Sequence, residues 1–226
     1  MLLTKVKPTQ PALKILFISD VYFPRVNGVS TSIKTFVQEM AALGHTVHLL
    51  APDYQQAETD ADFKIYIVES GKIFFYTEDR LMKCSANKTL LPTLIDENYD
   101  IVHVHTPFVA HIMGLKIAKA LNVPCVETYH TFFEDYLHHY LPWIPQGAAR
   151  KIARHVSKQQ CNAVDAIVAP SQPMLDVLRS YGVAADAQVI PTGLQAASFN
   201  QAGQVDFRKK YHIPEHRHML LYVGRV

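Results

Sequence analysis

Cysteine, tryptophan and excess charge are all scarce in this chain of 226 residues, and each shortage narrows what it can be. The three cysteines, Cys84, Cys125 and Cys161, are scattered, odd in number and free of Cys-x-x-Cys spacing. That excludes a disulfide framework and predicts reduced, mostly buried thiols in a cytosolic protein. The net charge of +2 gives no reason to expect nucleic acid as a partner, while leaving room for a local basic patch. No apolar run approaches the roughly 20 residues of a membrane-spanning helix. Residues 1–13 lack the apolar core of a signal peptide and are expected to form a loose N-terminal tail. The Gly-x-Gly-x-x-Gly fingerprint of dinucleotide-binding folds is missing as well. What the chain does have is a hydrophobic fraction of 49% against a charged fraction of 19%, enough for a large core.

Residues 14–52 read as strand, loop, helix and strand. The continuous apolar run at 13–18 suits a strand buried on both faces. In the loop at 22–28, Pro24 has no N–H to donate and Asn27-Gly28 tolerates positive φ. Ile33, Phe36, Val37, Met40 and Ala41 then recur at helical spacing as one apolar stripe. Gly44 ends that helix as a C′ residue, and residues 46–50 return as a second strand. The result is a βαβ unit with a right-handed crossover. It sets Asn27-Gly28 directly before a helix N-terminus. Free N–H groups and the positive dipole end there make either an anion site or simply a turn.

The alternation continues to the end of the chain. Further strands are expected at 63–68, 99–105, 123–129, 166–169 and 188–190, and helices at 89–98, 108–121, 146–162 and 172–181, the last closed by Gly182. Ile112, Leu115, Ile117 and Ala118 give the second of these helices its apolar side. In the third, Arg150, Lys151, Arg154, His155 and Lys158 take one side and Ile152, Val156 and Cys161 the other. This pattern predicts an α/β fold with a Rossmann-like, doubly wound parallel sheet. In such a sheet the strands at 13–18 and 99–105 flank the point where the winding reverses, and ligands bind outside the carboxyl ends of the strands there. Residues 20–28, His105-Thr106-Pro107 and His130-Thr131 then converge on one crevice. The apolar run at 218–223, followed by Gly224-Arg225-Val226, reads as a buried first strand of a second α/β domain at which the chain stops as if cut. The expected layout is a tail at 1–13, a Rossmann-like domain at 14–194, a linker at 195–217 and the start of the second domain at 218–226.

Six segments in order carry a family resemblance over nearly the whole length: DVYFPRVNGVSTSI with its helix ending ALGHTVHLLAP, YDIVHVHTPF, ETYHTFFEDYLHHY, DAIVAPSQPMLDVLRSYGV, VIPTGL and LLYVGRV. The chain resembles the N-terminal half of a GT-B glycosyltransferase of family 4, also called group 1. Its TYHT-x-x-EDY-x-x-HY segment is most similar to bacterial diacylglycerol glucosyltransferases, with phosphatidylinositol mannosyltransferases more distant. The resemblance implies a retaining, metal-independent transfer of a sugar from a nucleotide sugar, UDP- or GDP-linked, to an acceptor hydroxyl on a glycolipid or other membrane-linked acceptor. It implies that the N-terminal domain shapes the acceptor side, and that the loop with Gly28 approaches the donor diphosphate. Relatives carry Gly-Gly where this chain has Asn27-Gly28. His130 matches the histidine that faces the transferred sugar, and Arg225 matches an arginine that pairs with the diphosphate. The lysine and the E-x₇-E motif that follow in relatives lie beyond residue 226, so this fragment alone is expected to be inactive.

The chemistry agrees. A departing nucleoside diphosphate gathers negative charge, which a helix N-terminus and a bidentate arginine stabilise. His105, at a strand end, is a candidate for ligand contact, and Glu134 with Asp135 for acceptor-site carboxylates or plain surface charge. His103 faces a neighbouring element. His103 and His105 share a strand face, but no carboxylate stands beside them, so no metal is expected. Lys72 to Tyr76 with Arg80, Leu81, Met82 and Lys83, and the Arg150, Arg154, Lys158 row, suggest contact with an anionic membrane surface. The location implied is cytoplasmic, peripheral on the inner face of the cell membrane. Two other readings stay open. One is a sugar- or lipid-binding module without catalysis. The other is a dinucleotide-dependent oxidoreductase with Asp53 as the ribose-binding carboxylate.

Overall fold

A computed structural model describes residues 11–55, 63–73, 76–130, 132, 145–193, 206–220 and 222. The chain divides into two compact units, Met1–Gly193 and Leu194–Val226. The first runs β1 (Lys14–Ile18), α1 (Gly28–Ala42), β2 (Thr46–Pro52), β3 (Ile65–Val68), β4 (Ser70–Ile73), β5 (Tyr76–Met82), α2 (Ala86–Asp96), β6 (Ile101–Val104), α3 (Val109–Leu121), β7 (Cys125–Thr128), α4 (Gln146–Cys161), β8 (Ala166–Ala169), α5 (Gln172–Ser180) and β9 (Asp186–Val189). Seven strands form one sheet in the order β3-β2-β1-β6-β7-β8-β9, and every pairing in it is parallel. The winding reverses between β1 and β6, where Phe17 sits beside His103 and Ile18 beside Val104. The doubly wound sheet and its switch point are therefore as the alternation of apolar runs and helical stripes predicts. The antiparallel hairpin β4-β5 is an addition that the pattern does not announce.

Two cores sit on opposite faces, as strand alternation requires. Ile15 and Phe17 of β1 join Val47 and Leu49 of β2 against Ile33 and Val37 of α1. Leu16 and Ile18 join Leu50, Val102 and Val104 against Met113 and Ile117 of α3. At Gly114 an added Cβ would meet Val104 Cγ2 at 2.3 Å, so α3 lies closer to β6 than any side chain permits. Gly44 and Gly182 end their helices with φ of +90° and +86°, conformations that favour glycine.

The buried helix faces differ from those the hydrophobic stripes predict. In α1, Ser30, Ser32 and Thr35 are buried along with Ile33 and Val37, whereas Ala41 is exposed. Ser32 meets Thr192 through their hydroxyls at 3.3 Å, so small polar residues admit the 191–193 segment against the helix. In α3, His111, Gly114 and Met113 are buried and Ile112 is exposed. In α4 the buried row is Ala149, Ala153, Ser157 and Cys161, and Ile152 and Val156 face outward. The buried side of α4 is thus its row of small residues, where Ser157 meets the Tyr129 hydroxyl at 2.8 Å and Cys161 joins the core.

In the second unit, α6 (Phe207–Lys210) is capped by Asp206, whose carboxylate accepts from the Lys209 amide. The apolar run at 218–223 is not a buried strand in its described part. Residues 218–220 and 222 are irregular, and Leu220 is fully exposed. Apolar sequence becomes strand only when a ladder partner satisfies its backbone, and none of the described residues provides one.

Candidate functional site

The carboxyl edge at the β1/β6 switch point is built from short polar segments that each strand delivers. After β1 comes Asp20, buried beside the switch point. Both of its oxygens accept the Ala110 amide, at 3.1 and 3.0 Å. Oδ2 also accepts the Thr106 hydroxyl at 2.8 Å, and that hydroxyl in turn accepts the Asp20 amide at 2.7 Å. The reason lies in α3. Its N-cap position is Phe108, which has no side-chain acceptor for the free amides of the first turn. Asp20 supplies that acceptor from another element and so ties β1, β6 and α3 together across the reversal point. Burial pushes its carboxyl up to about 6, against the amide and hydroxyl donors that favour the ionised form. Sequence reading missed Asp20 as a site residue; the signal available was a helix whose own cap position is aromatic.

Asn27 and Gly28 stand as predicted at the head of a helix, but not in the predicted conformation. Asn27 has φ −157° and is the N-cap of α1, its side-chain oxygen accepting from the Ser30 amide at 2.8 Å. Neither residue adopts positive φ. The turn needs no left-handed residue because Asn27 caps it from extended backbone, which Asn does as well as Ser or Asp. The Ser30 hydroxyl donates to the Arg25 carbonyl and the Thr31 hydroxyl to that of Asn27, fixing the loop from below. Around Gly28 an added Cβ would meet nothing within 4 Å, so the face of this turn is open. No acidic residue occupies the first turn of α1, so that turn sets no carboxylate of its own against the helix's positive end.

The centre of the site is a column of three imidazoles on the α1 face of the sheet. His103 on β6 bonds Thr128 of β7 through Nε2 at 2.7 Å, which agrees with its reading as a residue turned to a neighbouring element. His105 stacks on His103 with ring centroids 4.3 Å apart, and against Phe17 at 4.4 Å. His105 Nδ1 meets His130 Nε2 at 3.1 Å, and those rings also stack, at 5.4 Å. Two-residue alternation puts 103 with 105 and 128 with 130 on one face, and the parallel pairing of β6 with β7 sets them side by side. The structure thus joins His105 to His130. It makes His105 1% exposed, too deep for a surface ligand contact, while His130 is partly exposed at the rim. Burial holds all three rings neutral: His103 is pushed down to about 3 and His130 to about 4, and His105 lies well below the usual histidine range. His130 is therefore a polar, uncharged group and not a cation for a diphosphate.

Glu134, Asp135 and Arg225 lie outside the described residues, as do His138, His139, Phe74 and Phe75. Of the basic and aromatic stretch near 72–83, Met82 is buried in the core and so turned from any membrane, while Leu81 is exposed and Lys83 pairs with Glu69 at the surface. Cys125 and Cys161 are buried as expected, with thiols pushed up to about 12, while Cys84 is exposed. Buried thiols so raised are inert packing residues. His111 and Glu127, both buried, bond at 2.9 Å behind the sheet on the α3 face and do not reach the crevice. Among the described residues no group of three or more His, Cys, Asp or Glu could hold a metal ion, and no helix is long and apolar enough to cross a membrane.

Residues 26–197 match Glycosyltransferase Family 4. The chain is 30% identical over 223 residues to an alpha-monoglucosyldiacylglycerol synthase of Streptococcus pneumoniae, covering 95% of this chain and 49% of that protein. It is 22% identical to a GDP-mannose-dependent alpha-mannosyltransferase of Mycolicibacterium smegmatis, over 95% of this chain and 56% of the other. In structure it is similar to the catalytic domain of starch synthase IV from Arabidopsis thaliana, with a TM-score of 0.54 at 14% identity, over 86% of this chain and 54% of that one. The last likeness shows the fold, one Rossmann-like half of a GT-B architecture. The chain spans about half the length of the curated relatives it matches.

Proposed function

Because this chain belongs to glycosyltransferase family 4, we propose that it is the acceptor-side half of a retaining enzyme that moves a hexose from a UDP- or GDP-sugar to a hydroxyl of a lipid acceptor. The observation that carries this reading is the placement of His130. The one histidine that the family resemblance assigns to the sugar stands at the rim of the switch-point crevice and is backed by a second histidine. The open turn at Gly28 and the N-terminus of α1, whose first turn has no acidic residue, stand on the same edge, where they would meet a diphosphate. Arg225 keeps the diphosphate-binding role that the resemblance gives it, and Glu134 remains a candidate acceptor-site carboxylate on its residue type and position alone. Metal independence rests on the resemblance and on the lack of a carboxylate in the sequence beside His103 and His105, and the domain limits at 14–194, 195–217 and 218–226 rest on the pattern of apolar runs and turns. An oxidoreductase reading with Asp53 loses its ground, since the family is one of sugar transfer.

Contact with an anionic membrane on the cytoplasmic side is part of the proposal. Its support is α4, where the outward-facing Ile152 and Val156 share a helix with Arg150, Lys151, Arg154, His155 and Lys158. Aliphatic groups can enter the headgroup boundary while cations stay with lipid phosphates.

Radiolabelled UDP- and GDP-sugars, offered with diacylglycerol-type and soluble acceptors, test the reaction. A full-length protein carrying this chain should label the lipid, and residues 1–226 alone should label nothing. Labelling by the chain alone would overturn the division of donor and acceptor sides. Co-sedimentation with anionic vesicles, reduced by salt and by Arg150→Glu with Arg154→Glu, tests the membrane part. Equal binding to neutral vesicles, or none to either, would move the acceptor toward a soluble sugar.

A further inference from the structure

His105 is 1% exposed, and its Nε2 is buried without a hydrogen-bond partner, while its Nδ1 lies 3.1 Å from His130 Nε2. Both rings are neutral, so each carries one proton on one of its two nitrogens. The contact between them needs one N–H and one lone pair. Two assignments satisfy it. In the first, His105 is protonated on Nδ1 and donates to His130 Nε2, and His130 then carries its proton on Nδ1. In the second, His130 donates from Nε2, and His105 must carry its proton on the partnerless Nε2. The second places an N–H in an apolar enclosure of Phe17 and the stacked His103 ring with nothing to accept it. Buried N–H groups without acceptors are rarer and costlier than under-used acceptors. The first assignment leaves only a lone pair without a partner.

We propose that His105 is a positioning residue that holds His130 as its Nδ1–H tautomer, so that His130 meets the bound sugar donor as a neutral hydrogen-bond donor and not as a general base. This inference rests on the crevice being the site of sugar transfer. It assigns the two histidines unequal tasks: His130 touches the oxygen, and His105 decides which nitrogen does so. It also removes His130 as the group that takes the proton from the acceptor hydroxyl, because its remaining lone pair is spent on His105. His103 is engaged elsewhere through its Nε2, which meets the Thr128 hydroxyl at 2.7 Å.

Long-range ¹H–¹⁵N correlation spectra of the chain with ¹⁵N-labelled histidine rings read the tautomers directly, with no substrate present. At pH 7 the wild-type chain should show His105 and His130 both protonated on Nδ1. H105N keeps an N–H donor near the Nδ1 position and should leave His130 unchanged. H105F removes the donor and should release His130 into a mixture with the Nε2–H form. A wild-type His130 protonated on Nε2, or a His130 tautomer indifferent to H105F, would overturn the proposal. The wild-type spectrum decides even where a variant fails to fold. The transfer reading fails separately: a His130→Ala enzyme with unchanged turnover would defeat it whatever the tautomer.

Discussion

The two edges of the same parallel sheet treat their ionisable groups in opposite ways. At the amino edge, Glu97 accepts from Lys14, which opens β1, from Lys64, which precedes β3, and from the Tyr66 hydroxyl at 2.9 Å. Those donors hold its carboxyl down at about 2. His48 and Tyr99, bonded at 2.7 Å, pack beside it. At the carboxyl edge no cation among the described residues pairs with Asp20, which depends on backbone amides and a hydroxyl and is pushed up to about 6, and three histidines stand uncharged in a row. One edge satisfies its charge with charge, near solvent, and is a fastening. The other strips water from groups it does not pair with ions, which is the condition under which small changes in a bound ligand are felt strongly. That contrast supports the proposed placing of the site at the carboxyl edge.

The contrast can be broken most forcefully at His130. In the full-length enzyme His130→Ala should lower kcat by roughly a hundredfold or more, the size of losing one positioned polar group in the transition state. The sequence alone suggests little loss of stability, but the bond to His105 predicts otherwise. A buried donor left unpaired costs about 1–3 kcal/mol, readable as a fall in urea midpoint. Unchanged stability would mean that His105 finds another partner.

Asp20 tests the difference through pH. The folded chain keeps the Asp20 proton up to about pH 6, whereas an unfolded aspartate releases it near 3.8. Between those values the folded state binds more protons, so this group makes stability fall as pH rises from about 4 to about 6, by roughly 3 kcal/mol in all. Asp20→Asn should flatten that part of the urea-stability profile, and a slope that survives the substitution would refute the assignment.

The middle of the sheet serves as a control. Gly114→Ala drives a methyl against Val104 and should cost about 1–3 kcal/mol of overpacking, equally at every pH tested. A pH-dependent loss would mean that α3 transmits strain to Asp20.

Glu97 carries the smallest expected effect and the opposite sign. Its folded value of about 2 lies below the unfolded 4.5, so its contribution is present above pH 4.5 and lost as pH falls toward 2. Because the pairs sit near solvent, Glu97→Gln should cost less than about 1 kcal/mol at pH 7 and remove that acid limb. Added salt should shrink the effect at this edge and leave the Asp20 slope nearly intact, since buried groups are screened less.

The sequence by itself determined the order of the elements that make up the seven-stranded sheet, the reversal between β1 and β6, and the two glycine stops at Gly44 and Gly182, though not the β4-β5 hairpin. Each rests on a local cause: apolar runs long enough to bury, helical spacing, or a backbone angle that favours glycine. It also brought Asn27, Gly28, His105 and His130 to one edge, because a parallel sheet sends every strand end to the same side. Only the tertiary structure decided the rest. Hydropathy favours Ile152 and Val156 over Ala149 and Ala153, yet the helix buries its small residues, and which face meets the rest of the molecule is not written in the helix itself. Asp20 became a cap for α3 only once β1 and α3, 90 positions apart in its bonded pair, were neighbours. The depth that neutralises His103, His105 and His130, and the contact that joins the last two, come from desolvation by elements distant in the chain, and no local pattern of residues encodes it.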